Sequence, residues 1–257
     1  MQPVSNQPLP LQDWAVLSLR PRGQHASLRK AAARTGARLV AVSVLAIRPL
    51  CDAHTLHTLQ EALAADCVLF TSPNAVAAAA RLVPLHAQTT QHWIAVGEGT
   101  RRALQRHGVS ALAPSRMDSE GLLALAPLRC VAHRRVGLIT APGGRGMLEP
   151  VLRERGAEVI RANVYQRVTV ELSAHQRAQL NTLLQQPQQV ALAVSSGEAL
   201  QALLQQTPPA ALMQVLVLAA SARLAQQARE AGFTRIATAT SARPAALLHA
   251  ATKAACA

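Results

Sequence analysis

Residues 70–76 read Phe70-Thr71-Ser72-Pro73-Asn74-Ala75-Val76, where an apolar run gives way to a helix through a small polar turn. The run Cys67 to Phe70 predicts a strand. Ser72 before Pro73 predicts a helix start, because a serine oxygen accepts a helix-terminal N–H and proline has none to leave unpaired. The stretch Val194-Ser195-Ser196-Gly197-Glu198-Ala199-Leu200 has the same pattern 124 residues later. Two strand-to-helix turns of one design favour an α/β fold.

The similarity between the two stretches is part of a longer internal repeat. Upstream, Gly36-Ala37-Arg38-Leu39-Val40 matches Gly156-Ala157-Glu158-Val159-Ile160 at an offset of 120. Downstream, Gly97 and Ser221 follow the two serine turns at the same distance of 25 residues. Coincident spacings of this kind indicate that the two halves share one architecture.

Both halves alternate apolar β-type runs with helix-forming segments. In the first half, Ala15–Leu19 predicts a strand and Ala26–Thr35 a helix that ends at Gly36. The apolar, β-branched run 39–47 predicts the next strand, and a helix is expected near His54 to Ala65. This alternation is typical of parallel sheets covered by helices, so we expect a doubly wound α/β fold.

The charge of the 257-residue chain is strongly positive, with 26 Lys and Arg against 13 Asp and Glu, a net +13. Such a field attracts polyanions, which leaves nucleic acid, a small polycarboxylate or polyphosphate, or mere solubility as explanations. The basic residues are scattered and aromatic residues make up only 2% of the chain, which disfavours a base-stacking surface. We therefore expect a small acidic ligand and no nucleic-acid partner.

The composition also predicts the cellular compartment. The uncharged stretch 199–222 contains Pro208-Pro209, which would break a membrane-spanning helix, and residues 1–11 lack the basic and apolar regions of a secretory signal. Four cysteines without CxxC spacing fit a reducing environment. We expect a cytoplasmic protein that does not enter the membrane.

The candidate binding residues lie in small polar turns after predicted strands. In open parallel sheets a ligand binds beyond the carboxyl ends of the strands, where helix N-termini present N–H groups that suit carboxylates or phosphates. Ser72 and Ser196 fit this role, but each also fits that of an ordinary helix cap. The turns are Thr71–Asn74, Gly97–Thr100, Ser195–Glu198 and Ala219–Ala222, with a glycine-rich fifth at Pro142–Gly146.

Other chemistries have little support in the sequence. The glycine-rich turn matches neither GxGxxG nor a phosphate-binding P-loop, so no nucleotide cofactor is expected. Cys51, His54 and His57 share a helical spacing but have no evident fourth ligand, so no metal is expected. Tyr165 is the only tyrosine of the chain, and on its residues alone it fits a packing role with the hydroxyl at the rim.

The order and spacing of the motifs resemble the uroporphyrinogen-III synthase family over roughly Trp14 to Ala250. The resemblance rests on Leu19-Arg20-Pro21, Phe70–Val76, Ala95–Thr100, Gly143-Gly144-Arg145 with Arg155–Val159, Val164–Arg167 and Val194–Leu200.

The resemblance implies two α/β domains joined by two linker strands, with the substrate in the cleft between them. The linker would be 44–50 and 162–168, the first domain 12–43 with 169–257, and the second domain 51–161. It also implies a cofactor-free, monomeric enzyme that cyclises hydroxymethylbilane, which carries eight carboxylates, to uroporphyrinogen III with inversion of ring D and loss of water.

By the same resemblance, Tyr165 would assist departure of the substrate hydroxyl. One motif departs from the family pattern: the second-half turn usually reads Gly-x-Thr but is Ala220-Ser221-Ala222 here, so Ser221 alone is carried over. The alternative is a non-catalytic, two-lobed protein that binds a polyanionic small molecule. The substrate-binding residues implied are Arg20, Thr71, Ser72, Asn74, Gly99, Thr100, Arg145, Ser195, Ser196 and Ser221.

Overall fold

The computed structural model describes residues 9–115, 119–143 and 147–255. The chain divides into two compact units. Unit 1 comprises Met1–Ala46 and Val168–Ala257, and unit 2 comprises Ile47–Arg167. Unit 2 is therefore continuous in sequence, whereas unit 1 is built from both ends of the chain.

Strands and helices alternate through most of the described chain. The strands are β1 (Ala15–Ser18), β2 (Arg38–Ala41), β3 (Leu45–Pro49), β4 (Cys67–Phe70), β5 (His92–Ala95), β6 (Arg135–Thr140), β7 (Glu158–Asn163), β8 (Tyr165–Thr169), β9 (Val190–Val194), β10 (Leu216–Ala219) and β11 (Ile236–Thr238). The α-helices are α1 (Ala26–Arg34), α2 (Ala53–Leu63), α3 (Pro73–Leu82), α4 (Glu98–Gln105), α5 (Ser119–Leu123), α6 (Ala126–Arg129), α7 (Leu148–Glu154), α8 (Ala174–Leu183), α9 (Gly197–Leu204), α10 (Pro209–Leu212), α11 (Ala222–Glu230) and α12 (Pro244–Ala255). A 3₁₀ turn covers Pro187–Gln189.

The sheet of unit 1 has the order β11-β10-β9-β1-β2, and every pair of neighbours is parallel. In its centre Leu17 pairs with Val40 on one side and Leu192 on the other. Every residue of β1 and β9 is buried, as expected for the central strands of a sheet covered on both faces.

The sheet of unit 2 has the order β5-β4-β6-β7 and is also parallel throughout. Successive residues of β4 belong to different hydrophobic clusters. Val68 and Phe70 lie in one cluster, and Cys67 and Leu69 lie in the other. This alternation follows from the two-residue period of a strand and gives each face of the sheet its own core. The Phe70 and Trp93 rings stack with centroids 5.5 Å apart.

The two sheets have corresponding strand orders. The repeat pairs β1 with β6, β2 with β7, β4 with β9 and β5 with β10, so the order β10-β9-β1-β2 in unit 1 corresponds to β5-β4-β6-β7 in unit 2. Each sheet thus combines strands from both halves of the sequence. Unit 1 adds β11 at its edge.

The predicted strand 39–47 is two strands in the structure. β2 ends at Ala41, the Val42 N–H still donates to the Ser18 carbonyl, and the chain then continues as β3, which pairs with β8 in a separate two-stranded sheet. The split arises because the backbone changes its hydrogen-bonding partner within one apolar run. Likewise Ala162 and Asn163, which we placed in the second linker strand, end β7 in the sheet of unit 2.

Among the described residues, no helix is long and apolar enough to cross a membrane.

Candidate functional site

Two predicted binding turns of unit 2 lie side by side. The strands β4 and β5 are parallel neighbours, so the turns that follow them, at Ser72 and Gly97, lie at the same edge of the sheet. Ser72 is the N-cap of α3, and its Oγ accepts the Ala75 N–H at 3.0 Å. The helix-cap interpretation of Ser72 is therefore correct for this hydroxyl. The Ser72 oxygen nevertheless has a second partner.

That second partner is Tyr165, whose phenol oxygen lies 3.0 Å from Ser72 Oγ. Tyr165 is the first residue of β8 and is only 4% exposed. The hydrogen bond joins the predicted catalytic residue to the start of α3, within unit 2. The ring packs in the hydrophobic cluster that contains Phe70 and Trp93, so packing holds the phenol where it meets Ser72.

A further hydroxyl pair lies next to this one in sequence. Thr71 Oγ1 donates to Thr140 Oγ1 at 2.9 Å and to the Ile139 carbonyl at 3.3 Å. Thr140 ends β6 and is 1% exposed. Sequence reasoning missed Thr140, because a threonine at the end of an apolar strand carries no local signal of function.

These hydroxyls gather where the strand order of unit 2 reverses. The chain runs from β4 to β5 on one side of β4 and then returns to β6 on its other side. Such a topological switch point leaves a crevice at the carboxyl ends of the two strands, and ligands of open α/β sheets bind there. Thr71 and Ser72 follow β4, and Thr140 ends β6, so they stand on both sides of this point.

The start of α4 is organised by its backbone. Its N-cap is Gly97, which has no side chain to cap the helix, and the carbonyl of Gly97 accepts the N–H groups of Thr100 and Arg101 at 3.0 Å. Thr100 is buried, and Gly99 is exposed beside Pro73 of α3. An anion that binds at this helix end would therefore meet main-chain N–H groups, as the sequence suggested.

Glu98 modifies the electrostatics of this helix start. Its carboxylate accepts hydrogen bonds from Arg101 Nε at 2.7 Å and Arg102 Nε at 2.8 Å, and these bonds lower the pKa of Glu98 to about 2. A carboxylate in the first turn also complements the positive end of the helix dipole. Because two arginines share its charge, Glu98 opposes an acidic ligand less than an isolated carboxylate would.

Unit 1 has the corresponding pair of turns. Strands β9 and β10 are parallel neighbours, and Ser196 and Ser221 cap the helices that follow them, α9 and α11. Their Oγ atoms accept the Ala199 and Leu224 N–H groups, each at 3.4 Å. Ser195 is exposed beside Ser196.

Arg20 is also at the carboxyl edge of the unit 1 sheet, two residues after the end of β1. The chain goes from β1 to β2 on one side and later adds β9 on the other, so Arg20 lies at the switch point of this sheet. Its Nη2 donates to the Ala242 carbonyl at 3.1 Å and its Nη1 to Ser27 Oγ at 3.4 Å. Partial burial lowers the pKa of Arg20 below its usual range.

The predicted site residues thus divide between the two units. Arg145 lies outside the described residues, and Asn74 is half-buried in the first turn of α3. Among the residues that the structure describes, no group of three or more His, Cys, Asp or Glu side chains could hold a metal ion. Unit 2 holds Thr71, Ser72, Asn74, Gly99, Thr100 and Tyr165, and unit 1 holds Arg20, Ser195, Ser196 and Ser221.

Fold and turns together define a class of protein: an α/β protein of two parallel-sheet units, each with helix starts suited to anions at its carboxyl edge. The family model described as uroporphyrinogen-III synthase HemD matches residues 26–249. The chain belongs to the uroporphyrinogen-III synthase family. This confirms the resemblance on which the sequence prediction rested.

Curated relatives bear the same name. The chain is 34% identical over 165 residues to uroporphyrinogen-III synthase of Escherichia coli K12, and 34% identical over 172 residues to that of Salmonella typhimurium LT2. Each match covers 62% of this chain and 65% of the relative. The chain therefore spans slightly less than two thirds of the length of these relatives.

Solved structures confirm the α/β fold. A mutant uroporphyrinogen III synthase of the extreme thermophile Thermus thermophilus has a TM-score of 0.60 at 21% identity, covering 94% of this chain and 98% of that one. Uroporphyrinogen-III synthetase of Helicobacter pylori 26695 has a TM-score of 0.63 at 15% identity, covering 93% and 99%. At these identities the likeness concerns the fold.

Proposed function

We propose that this chain is a uroporphyrinogen-III synthase, which cyclises hydroxymethylbilane to uroporphyrinogen III with inversion of ring D and loss of water. Family membership supports the reaction. The observation that carries the proposal is the hydrogen bond of 3.0 Å between Tyr165 and Ser72 beside the switch point of unit 2. It supplies a positioned proton donor at the end of a helix that can hold a carboxylate.

The first chemical step is loss of the hydroxyl group from the hydroxymethyl end of the substrate. The C–O bond breaks, and the departing oxygen takes a proton and leaves as water. The pyrrole nitrogen of ring A supplies the electron pair and releases its own proton, which gives the neutral azafulvene. Tyr165 would donate a hydrogen bond or the proton to the departing oxygen. The substituted carbon of ring D then attacks the azafulvene methylene, the ring A nitrogen takes a proton back, and a spiro intermediate forms. The bond between that ring D carbon and its bridge to ring C breaks, the other α-carbon of ring D bonds to the bridge, and its proton is lost, so ring D ends inverted.

The contacts of Ser72 favour this use of Tyr165. Ser72 Oγ accepts the Ala75 N–H, so its lone pair serves the helix while its own hydrogen is available to the phenol oxygen. With Ser72 as the donor, the Tyr165 hydrogen is free to point at the substrate.

Substrate binding would depend on the helix starts and on positive charge. The substrate carries eight carboxylates, and the first turns of α3, α4, α9 and α11 direct backbone N–H groups beyond the carboxyl ends of their strands. Arg20 and the net charge of +13 add attraction over a longer range. In this proposal the residues Thr71, Ser72, Asn74, Gly99, Thr100, Ser195, Ser196 and Ser221 bind chiefly through their main chain, and Arg145 adds a guanidinium.

We also propose that the substrate lies in a cleft between two domains, 12–43 with 169–257 and 51–161, joined by linker strands near 44–50 and 162–168. The family resemblance supports this arrangement, as it supports a cytoplasmic monomer that needs no cofactor. Product in crystals grown with uroporphyrinogen III should contact residues of both units.

The isomer of the product tests the function. The purified protein is incubated with enzymatically generated hydroxymethylbilane, and the products are oxidised and separated by chromatography. We expect the type III isomer to predominate. The type I isomer alone, which the unassisted reaction gives, would contradict the proposal. Substrate binding with only that product would favour the non-catalytic binding protein.

A further inference from the structure

His25 is a buried histidine that the proposed reaction does not use. It is 8% exposed and occupies the N-cap position of α1, where its side chain makes no capping hydrogen bond. The ring instead bridges two serines: Nδ1 lies 2.9 Å from Ser18 Oγ, and Nε2 lies 2.8 Å from Ser43 Oγ. Ser18 ends β1, and Ser43 follows β2. The ring therefore ties together the carboxyl ends of two neighbouring strands.

The hydrogen-bond partners determine the direction of this chain of bonds. Ser43 Oγ donates its hydrogen to the Arg20 carbonyl at 2.9 Å, so its oxygen must accept from the ring. His25 therefore carries its hydrogen on Nε2, and Nδ1 accepts the hydrogen of Ser18. With a neutral imidazole, each of the two serine hydroxyls and both ring nitrogens has a hydrogen-bond partner. Burial, with the positive charges of Arg29 and Arg20 nearby, lowers the pKa of His25 and so favours this neutral form.

The chain of bonds ends on the backbone of Arg20. The Arg20 carbonyl is held by Ser43, and the following turn is closed by the bond from the Gln24 N–H to the Pro21 carbonyl at 3.0 Å. The turn needs Gly23, whose φ is +80°. The guanidinium of Arg20 is held at its other end by Ala242 and Ser27. Arg20 is thus held at both ends: its peptide determines where the side chain starts, and the contacts with Ala242 and Ser27 complete the placement of the guanidinium.

We propose that His25 is a positioning residue for substrate binding: through Ser43 it fixes the Arg20 peptide and so holds the guanidinium at the switch point of unit 1, ready for a substrate carboxylate. The inference rests on the proposed function, in which Arg20 binds the acidic substrate. It gives the segment from Arg20 to His25 a role beyond that of a connection between β1 and α1. The alternative is that His25 merely fills the core of unit 1.

Steady-state kinetics of four variants separate these two roles. His25→Leu removes both hydrogen bonds of the ring, and Ser43→Ala breaks the link to Arg20 while leaving the histidine. His25→Gln retains an N–H donor near the position of Nε2. Leu28→Ala empties a fully buried site on the same helix and controls for lost stability.

We expect His25→Leu and Ser43→Ala to raise KM about five- to tenfold, the effect of one or two hydrogen bonds, with kcat within about twofold of wild type. In His25→Gln, KM should lie close to the wild-type value. Leu28→Ala should lower the melting temperature and leave KM unchanged. A KM that follows the melting temperature across all four variants would overturn the proposal in favour of a core histidine.

A double variant tests whether His25 acts through Arg20. Arg20→Ala alone should raise KM, and adding His25→Leu should raise it little further, because the group that His25 positions is already gone. Independent, multiplying effects would overturn the proposal. An unchanged KM in Arg20→Ala would overturn it as well, while leaving the enzymatic function standing.

Side-chain NMR supplies a readout that does not require activity. The ¹⁵N shifts of His25 should show a hydrogen on Nε2 and none on Nδ1, and the Nε–H signal of Arg20 should shift or broaden in Ser43→Ala. If the wild-type protein gave only the type I isomer, the proposed function would fail, whereas these signals would still report the link between His25 and Arg20. A hydrogen on Nδ1, or an Arg20 signal that Ser43→Ala leaves unchanged, would contradict the link itself.

Discussion

Tyr165 and Ser72 share a hydrogen bond of 3.0 Å, yet the two side chains contribute to different properties. Ser72 also caps α3, whereas the phenol hydroxyl serves no helix. Tyr165→Phe keeps the ring in the hydrophobic cluster that also contains Phe70, and it removes only the hydroxyl. Ser72→Ala removes a cap as well. The proposed role of the phenol in catalysis can therefore be tested separately from the stability of α3.

We expect Tyr165→Phe to lower kcat by about 100-fold or more, because a positioned proton donor contributes about 10²- to 10⁴-fold. The melting temperature should change little. Single-turnover formation of the type III isomer measures the effect, and Ser72→Ala serves as the comparison, since it should also cost about 1 kcal/mol of helix capping. An undiminished kcat in Tyr165→Phe would remove the phenol from the mechanism.

His25 should make the protein less stable in mild acid. Its folded pKa lies below the usual 6.5, so as the pH falls through 6.5 the unfolded chain takes up a proton before the folded chain does. The free energy of unfolding therefore decreases from about pH 6.5 down to the folded pKa of His25. Thermal unfolding of wild type and His25→Gln between pH 7.5 and 5 measures this, and the variant should show the flatter curve. Parallel curves would show that His25 does not contribute to acid sensitivity.

At the scale of elements, α2 packs closely on the sheet of unit 2. Gly137 lies in β6 directly beneath the helix, and a Cβ atom there would collide with the Ala62 carbonyl. The absent side chain lets the backbones of α2 and β6 approach closely. The φ of Gly137 is not positive, so the backbone conformation does not call for glycine. Glycine is needed here only because it has no side chain.

Gly137→Ala should therefore lower the free energy of unfolding by about 1–3 kcal/mol, the usual cost of overpacking. Urea unfolding measures the change. Gly99→Ala is the matched control: it lies in α4, where a Cβ would meet Pro73 at an ordinary 3.7 Å, and it should stabilise the helix by about 0.5–1 kcal/mol. Equal effects of the two substitutions would contradict the packing argument.

Local pattern predicted the elements whose boundaries coincide with local signals. The strand Cys67–Phe70 and the helix that begins after Ser72 match the structure, because an apolar run ends where a serine and a proline follow. The run 39–47 was wrongly read as one strand, since its change of partner from β1 to β8 depends on residues far away in sequence. Thr140 and His25 escaped notice for the same reason: their partners are non-local.

At the scale of the whole molecule, the hydrophobic cores follow the two units. The core of unit 1 draws on residues from Leu11 to Leu45 and from Leu172 to Ala251, whereas the two clusters of unit 2 lie between Leu59 and Tyr165. No buried residue in these clusters is shared, over the part of the chain that the structure describes. Each unit therefore has the apolar interior that independent folding requires.

A fragment of residues 44–170 should consequently fold without the rest of the chain. Its ends are adjacent, because the Val170 N–H donates to the Val44 carbonyl at 2.9 Å, and it keeps both β3 and β8. Circular dichroism during thermal unfolding should show one cooperative transition. A gradual loss of signal, with no transition, would show that the cores depend on one another.

The position of β1 has a consequence for synthesis on the ribosome. Ala15 of this central strand pairs with Val190 of β9, which is translated 175 residues later. The N-terminal segment emerges early, yet one flank of its most apolar strand stays uncovered until most of the chain has been made, whereas unit 2 is already whole. Nascent chains would thus pass through a stage in which unit 2 is folded while β1 still lacks β9. The exposed apolar strand would favour aggregation at this stage, so we expect chaperones to bind the chain then.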